Sequence, residues 1–488
     1  MSKIKRLGTI VLVLIMTIAV TVSVDASPAA WPSPGPGSAD VTVMNVGSGP
    51  ASVTAEYIDA AGNVVVTRSA SNLPVNGAHE FLSSNSGLPD GWQGAMVLSS
   101  TDIVASVATI RWAGGVDAGD DGDNGQYSGI TTGSSTVYCP AVYQANGALY
   151  STLAIQNTGA ATANVQLSFR DRNGVAYAGN PVNKTIPANA QTTLNMSTEP
   201  QYFASNDGSA LITSNQPVAV VATTHWFGRS SAYNCPTQGN TKLYVPAQYR
   251  STNGGTASND YILYSANVVM NLSSTTPANV VFHYIPRNPA NASLDVPIQI
   301  PPLSAKGLNT QGGGSVPAST LNVLGTGWDG VVVIDSDQPL VGINNTNWGP
   351  AAGVRSATFK IIGPADGAQL VFLQHQRRTV PGGVWQEWSA AIVQNLTDST
   401  ANVTLRYYDA AGVEKLVLAN QAIPARTAYG FNTRGGGSVS PDVFLPLGDA
   451  YAGGLRITSD QNIAVVAQYI TAGAAKVAGY AYNGIPPQ

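Results

Sequence analysis

The chain carries one pattern four times, and this repetition constrains its fold more than any other feature. In each copy, an apolar residue is followed directly by proline. The short run after the proline ends in an apolar residue and one more residue, which is asparagine in three of the four copies. The four phrases are Leu73-Pro74…Phe81-Leu82, Ile186-Pro187…Leu194-Asn195, Ile300-Pro301…Leu308-Asn309 and Ile423-Pro424…Phe431-Asn432. The first copy departs from the pattern at Leu82, where the others have asparagine. The identical spacing indicates four structural units of one kind.

Each copy opens with a stretch in which apolar and polar residues alternate. This alternation, together with β-branched residues, predicts a half-buried strand. Every one of these stretches ends in asparagine, whose side chain can bond the backbone ahead of it and so begin a turn. The four asparagines are Asn45, Asn157, Asn271 and Asn395.

Turn and closing residues complete the pattern and give it a family resemblance. Three copies contain an Asp-x-x-Gly turn, as in Asp59–Gly62, and each copy ends on an aromatic residue. The closing aromatic residues are Trp112, Trp226, Trp348 and Tyr469. These features resemble tandem immunoglobulin-like repeats of secreted bacterial surface proteins. The resemblance implies an all-β fold of four tandem immunoglobulin-like β-sandwich domains in an elongated array, with adhesive or structural roles. The Cys–Trp–Cys arrangement of antibody domains is absent from the sequence.

The repeats follow a leader and a linker. Lys3, Lys5 and Arg6 precede an apolar stretch, and Val24-Asp25-Ala26 supplies small residues for cleavage, which is typical of a secretory signal. An uncleaved membrane anchor is the alternative. The predicted segments are a signal peptide (1–26), a Pro/Gly linker (27–37) and repeats 1 to 4 (38–134, 135–240, 241–368 and 369–488). We expect a secreted protein, extracellular or at the cell surface, with no membrane span once the signal is cleaved.

One further strand lies between successive repeats, so four repeats share three such connecting strands. They are predicted at 137–144, 243–249 and 370–376. One terminal domain therefore has an incomplete sheet edge, which could pair with another strand. The alternative is a smaller terminal domain whose loops cover the edge.

Composition excludes several classes of partner. Charged residues make up 10% of the chain, against about 25% in an average globular protein. The formal net charge is −4, so no basic field is available for nucleic acid. A surface rich in hydroxyl and amide groups suits contact with a cell-envelope or extracellular polymer, such as a polysaccharide, or with another copy of the chain.

The two cysteines, Cys139 and Cys235, favour a disulfide in an exported protein. Free buried thiols are the alternative. Because the two positions fall near the two ends of repeat 2, a bridge would tie the entry of that domain to its exit. We therefore hypothesise that it would carry pulling force past the interior of the domain.

No catalytic group stands out in the sequence, so we expect no enzymatic activity and no required cofactor. The four histidines, His79, His225, His283 and His375, lie in different repeats without zinc-like spacing. Because Arg111 and Asn347 occupy the position of His225 in other copies, we interpret it as an outer-face residue. The loop 117–125 is a candidate calcium site with four carboxylates, and a solvated acidic loop is the alternative. The carboxylates are Asp117, Asp120, Asp121 and Asp123.

A loop peculiar to repeat 4 is the candidate ligand site. Arg377, Arg378 and Trp385 could bind a glycan, since tryptophan stacks on sugar rings and arginine binds acidic groups. Trp388 aligns with Tyr150 and Tyr264, which indicates a structural role. The sequence thus predicts a non-enzymatic structural or adhesive cell-surface protein. The alternative is an extracellular polysaccharide-binding protein that uses this loop.

Overall fold

The protein is an all-β structure in a computed structural model. The structure describes residues 10–13, 35–112, 124–145, 149–226, 229–255, 257, 260–349, 355–380, 383–472 and 477–486. The only α-helix in these ranges is α1 (Ala318–Asn322), and 3-10 turns cover Ser83–Asn85, Pro364–Asp366 and Pro441–Leu447. No helix in the described part of the chain is long and apolar enough to cross a bilayer.

The strands follow the four repeats. The segment before repeat 1 contains β1 (Ile10–Val13), and repeat 1 contains β2 (Gly37–Asn45), β3 (Ala51–Ile58), β4 (Val64–Leu73), β5 (Ala78–Phe81), β6 (Ala95–Ser100), β7 (Val104–Trp112) and β8 (Asn124–Ser128). Repeat 2 contains β9 (Ser134–Ala145), β10 (Leu149–Asn157), β11 (Ala163–Asp171), β12 (Val182–Ile186), β13 (Gln191–Asn195), β14 (Asp207–Trp226) and β15 (Arg229–Asn234).

The second half of the chain continues the series. Repeat 3 contains β16 (Asn240–Thr252), β17 (Tyr261–Asn271), β18 (Ala278–Pro286), β19 (Leu294–Ile300), β20 (Ala305–Asn309), β21 (Gly313–Gly314), β22 (Trp328–Trp348) and β23 (Arg355–Lys360). Repeat 4 contains β24 (Ala368–Val380), β25 (Val384–Asn395), β26 (Ala401–Asp409), β27 (Glu414–Ile423), β28 (Ala428–Asn432), β29 (Gly436–Gly437), β30 (Ala450–Ala472) and β31 (Val477–Asn483).

One long strand curls the sheet of each later repeat. In repeat 2, the first part of β14 pairs with β9 and β11, and its second part pairs with β10 and β15. β22 and β30 are shared in the same way in repeats 3 and 4. In repeat 1 the long strand is divided into β6 and β7, which belong to two separate sheets. The apolar positions of repeats 2 to 4 meet between the two halves of each curled sheet, and those of repeat 1 meet between its two sheets.

In each repeat, the asparagine that ends the alternating strand is hydrogen-bonded to the apolar-Pro phrase of the same repeat. Nδ2 of Asn271 donates to the backbone oxygen of Ile300, in the Ile-Pro phrase, at 3.1 Å. Its Oδ1 accepts from the amide of Ser273 at 2.9 Å, so the predicted turn is confirmed. Asn45, Asn157 and Asn395 make the same two kinds of contact in the other repeats. All four asparagines are fully buried.

The incomplete edge falls in repeat 1. The connecting strands β9, β16 and β24 are the first strands of repeats 2, 3 and 4, and each pairs with the long strand of its own repeat. Within the described residues, repeat 1 has no connecting strand of this length, and the four residues of β1 pair with β6 at that place instead. Residues 10–13 thus supply the only strand that lies along this edge of β6 among the described residues.

The predicted elongated array is wrong, because the four repeats close into a ring. One apolar position on the second part of each long strand packs into the core of the preceding repeat. Val221 packs into the core of repeat 1, Ile343 into that of repeat 2, Val466 into that of repeat 3 and Val107 into that of repeat 4. Ala78 N, in repeat 1, also donates to the oxygen of Ala410, in repeat 4, at 3.0 Å. Burying these outward-facing side chains against a neighbour removes apolar surface from water, which an extended row would leave exposed at its ends.

Polar contacts repeat at alternate boundaries of the ring. Asn234 donates to the oxygen of Ser128 at 2.8 Å across the boundary of repeats 1 and 2, and Asn483 donates to that of Lys360 at 2.7 Å across the boundary of repeats 3 and 4. The strands β8, β15, β23 and β31 lie side by side in a cycle around the centre. A cavity of about 430 Å³ opens where the ends of these strands meet.

Candidate functional site

The candidate site lies on the hairpin of β24 and β25 in repeat 4. Trp385 and Trp388 both lie on β25, and their rings meet edge to face, with 6.3 Å between the ring centroids. Arg377, on β24, places its guanidinium carbon 5.1 Å from the centroid of Trp385. Trp388 is buried, whereas Trp385 is half-buried. The hairpin therefore presents one accessible indole whose ring is flanked by a cation.

Arg434 adds a second cation from a distant part of the chain. It stands in the turn between β28 and β29 and is exposed. Its guanidinium carbon lies 4.4 Å from the centroid of Trp388 and 6.0 Å from that of Trp385. Among the described residues, Arg434 forms no salt bridge with a carboxylate. We call Arg377, Arg434, Trp385 and Trp388 the Arg–Trp cluster.

Two carboxylates hold neighbouring arginines in place. Nη1 of Arg377 lies 2.7 Å from Oδ1 of Asp449 and donates to the oxygen of Gly448 at 2.6 Å. This hydrogen bond lowers the pKa of Asp449 below its ordinary value. Nη1 of Arg378 lies 3.0 Å from Oε2 of Glu387. Arg377 is therefore fixed and almost fully buried, so Arg434 is the cation of the cluster that can move to meet a ligand.

Arg355, in repeat 3, adds a further positive charge near the Arg–Trp cluster. Burial, together with the positive charge of Arg434, lowers the pKa of Arg355, on β23, to about 10. Around the cluster, the four guanidinium groups of Arg355, Arg377, Arg378 and Arg434 outnumber the carboxylates of Asp449 and Glu387. This excess of positive charge occurs in a chain whose net charge is −4. The cluster is thus suited to an anionic ligand.

The structure brings together the three predicted glycan-binding residues, Arg377, Arg378 and Trp385, on one hairpin. Trp388 is 7% exposed and occupies the interior, like Tyr150 and Tyr264. The sequence interpretation missed Arg434. A signal for it existed, because the loop 432–439 is almost identical to 309–316, and Arg434 replaces Gln311 within it.

The candidate calcium ligands Asp117, Asp120, Asp121 and Asp123 lie outside the described residues, so that site stays a prediction. Within the described ranges, no group of three or more histidine, cysteine, aspartate or glutamate side chains is arranged to hold a metal ion.

A disulfide joins Cys139, on β9, to Cys235, which directly follows β15. The bridge therefore links the first strand of repeat 2 to the end of its last strand, as the sequence predicts. In repeats 3 and 4 two backbone hydrogen bonds make a comparable link, between Tyr244 and Ile362 and between Phe372 and Ile485. The covalent bond in repeat 2 thus reinforces a contact that the other repeats make through their backbone.

The histidines do not converge on one site. His225 is fully buried, with hydrogen bonds of 3.0 Å to Thr223 and 2.8 Å to Ser230. Burial lowers its pKa to about 3. His225 shares the outward face of β14 with Val221, in line with the sequence interpretation, and it is buried because ring closure covers that face of the sheet. His375 is also fully buried, in repeat 4, and His283 pairs with Asp295 at 2.8 Å in repeat 3.

Comparisons with known proteins add little to this geometry. No family model and no curated protein matches the chain. Among solved structures, Anabaena sensory rhodopsin transducer is 20% identical, with 19% of this chain and 83% of that chain covered and a TM-score of 0.16. A Thermotoga maritima structure, designated 1070, is 20% identical, with 21% and 94% covered and a TM-score of 0.17. A glycoside hydrolase family 32 structure from Bifidobacterium adolescentis is 11% identical, with 88% and 97% covered and a TM-score of 0.13. Likenesses with TM-scores this low carry no argument about fold or function.

Proposed function

We propose that the protein is a secreted, non-enzymatic adhesive protein that binds an acidic polysaccharide of the cell surface or its surroundings through the Arg–Trp cluster. In this proposal the four repeats are immunoglobulin-like sandwiches that serve as a rigid support. The leader 1–26 and the low content of charged residues support export. A role as an extended spacer loses its basis, because repeat 4 packs on repeat 1.

The observation that carries the proposal is the position of Arg434. Its guanidinium lies over Trp388 and beside Trp385, and it forms no carboxylate salt bridge among the described residues. An exposed cation held against aromatic rings can exchange water for a carboxylate or sulfate group at small cost. By contrast, a carboxylate already occupies the guanidinium of other arginines of the chain, as in Arg426 with Asp398.

The chemistry of the cluster fits a sugar polymer that carries acidic groups. The half-buried indole of Trp385 offers an apolar surface to the C–H face of a sugar ring. Arg434 would then bind an acidic group on the same or the next residue of the polymer. Because Arg377 is fixed by Asp449 and by a backbone oxygen, it would orient the indole and would not need to move.

Binding to immobilised polygalacturonate, with neutral dextran as a second polymer, tests this proposal. We expect the protein to bind polygalacturonate and not dextran. Trp385→Ala should weaken binding about tenfold and Arg434→Gln about fivefold, as expected for loss of a stacked ring and of a charge contact. Binding should also weaken as salt rises, and by less in Arg434→Gln.

Arg406→Gln is the matched control. Arg406 is an exposed arginine of the same repeat, and it pairs with Glu414 at 2.8 Å on the adjoining strand β27. This variant should bind as tightly as the unmodified chain. Equal binding by Trp385→Ala, or equal binding of dextran and polygalacturonate, would overturn the proposal.

A further inference from the structure

In repeat 1, the strand that lies along the free edge of the long strand is much shorter than in the other repeats. β9, β16 and β24 contain 12, 13 and 13 residues, whereas β1, in the same place, contains four. β6 pairs with β3 along one edge and with β1 along the other. Since β1 lies within the predicted signal peptide, cleavage of the signal would leave the second edge of β6 unpaired.

A buried hydroxyl group without a partner in the described part of the chain lies at the same place in repeat 1. Tyr127, on β8, is 2% exposed, and its hydroxyl finds no hydrogen-bond partner among the described residues. Tyr233 and Tyr482 occupy this position in repeats 2 and 4. Tyr233 donates to the oxygen of Ala141, on β9, at 2.7 Å, and Tyr482 accepts from the amide of Gln374, on β24, at 2.7 Å. In both repeats the partner is the backbone of the connecting strand, and in the described part of repeat 1 only the four residues of β1 lie at that place.

The other repeats also define the side chains that fit this place. Each connecting strand buries two apolar residues, two positions apart, against the core. They are Val137 and Cys139 on β9, Leu243 and Val245 on β16, and Val371 and Leu373 on β24. The pairing of β1 aligns Val11 with Leu98 and Val13 with Met96, which matches this spacing. An antiparallel strand with apolar residues at alternate positions is therefore the shape that the edge accepts.

We propose that the edge of β6, together with the Tyr127 hydroxyl, is a strand-binding site. In the exported chain it takes up an extended apolar segment of another polypeptide by β-augmentation. We call it the β6 site. Its backbone N–H and C=O groups provide affinity, and the pockets for alternate apolar side chains provide specificity. Before cleavage, Ile10–Val13 occupies the β6 site and keeps it closed. The proposal rests on export as proposed above, but it does not depend on the Arg–Trp cluster.

A labelled peptide with the sequence of residues 368–376 is the probe. It copies the part of β24 that carries Val371, Leu373 and Gln374. We expect one peptide to bind per chain when the protein is purified from an exporting host and mass spectrometry shows that the leader is absent. Chain that retains the leader should bind at least about tenfold more weakly, because β1 competes for the site. A scrambled peptide should not bind.

Tyr127→Phe separates the site from general stickiness. Loss of the hydroxyl should weaken peptide binding about three- to tenfold, which corresponds to one hydrogen bond. Tyr233→Phe is the matched control, since its hydroxyl is already paired within repeat 2, and it should leave peptide binding unchanged. Polygalacturonate binding should be the same for all these proteins, so failure of this proposal and failure of the adhesive function can be told apart.

Four results would overturn the proposal. The first is retention of the leader in exported protein, and the second is absence of peptide binding to the leader-free chain. The third is equal peptide binding with and without the leader. The fourth is dimerisation of the leader-free chain that the peptide does not reverse. If the leader-free chain does not fold, a protease site in the linker 27–37 allows the leader to be cut after folding. Exchange of the severed leader for the labelled peptide is then the expected result, and no exchange would overturn the proposal.

Discussion

The imidazole of His225 stands edge-on to the indole of Trp112, with 4.8 Å between the ring centroids. Trp112 belongs to repeat 1 and His225 to repeat 2, so this contact seals the boundary between them. Both side chains are buried. Because the imidazole is fully buried, between the rings of Trp112 and Tyr150, loss of hydration disfavours its charged form and keeps it neutral.

Stability should therefore fall in mild acid. Burial lowers the pKa of His225 and of His375 to about 3 in the folded protein, against about 6.5 in an unfolded chain. Below pH 6.5 the unfolded state binds the protons first, so the free energy of unfolding falls as the pH falls. The loss is about 1.4 kcal/mol per pH unit for each histidine. Urea unfolding at pH 7 and pH 5 should differ by about 2 kcal/mol per histidine.

His225→Asn isolates one half of this effect. Asn347 occupies the position of His225 in repeat 3, so asparagine is compatible with this place in the fold. The variant should lose about half of the difference between pH 7 and pH 5. An unchanged difference would show that His225 does not remain neutral in the folded protein.

The repeated asparagines should be among the polar residues that matter most for stability. Asn271 donates to the oxygens of Thr276 and Ile300 and accepts from Ser273, all within 3.1 Å. Asn271→Ala removes these bonds in a buried place, so we expect a loss of about 2–4 kcal/mol in the free energy of unfolding. Asn271→Asp should cost more, because it places a carboxylate against two carbonyl oxygens.

The exposed Asn164, on β11, is the control for these variants in urea unfolding. Asn164→Ala should change the free energy of unfolding by less than about 0.5 kcal/mol. Equal costs for Asn164→Ala and Asn271→Ala would contradict the role given to the buried amide.

Local structure could be predicted well from the sequence, because it depends mainly on residues that are close together in the chain. The alternating strands, the asparagine turns and the pairing of Cys139 with Cys235 follow from spacing and residue type. The closing aromatic residue of repeat 4 does not follow from these. In the register of the long strands, Thr471 occupies the position of Trp112, and Tyr469 lies two residues earlier. A pattern of similar residues can be aligned in two ways, and only the strand pairing decides between them.

Ring closure could not be predicted, because it depends on residues that look ordinary in the sequence. Val107, Val221, Ile343 and Val466 lie within strands that are apolar on both faces. Such a strand can be buried by its own repeat or by a neighbour, and alternation cannot distinguish the two. Arg434 was missed for a related reason, since it reaches Trp388 only through the pairing of β25 with β28.

Small-angle X-ray scattering tests the closed ring directly. A compact chain of this length should have a radius of gyration of about 23 Å, whereas four domains in a row would give roughly 40 Å. We expect the compact value. Val107→Asp should raise it and lower stability by at least about 3 kcal/mol, because it buries an unpaired carboxylate in the core of repeat 4. Val64→Asp, at a position that is 50% exposed, should change neither quantity. A value near 40 Å for the unmodified chain, or no effect of Val107→Asp, would contradict ring closure.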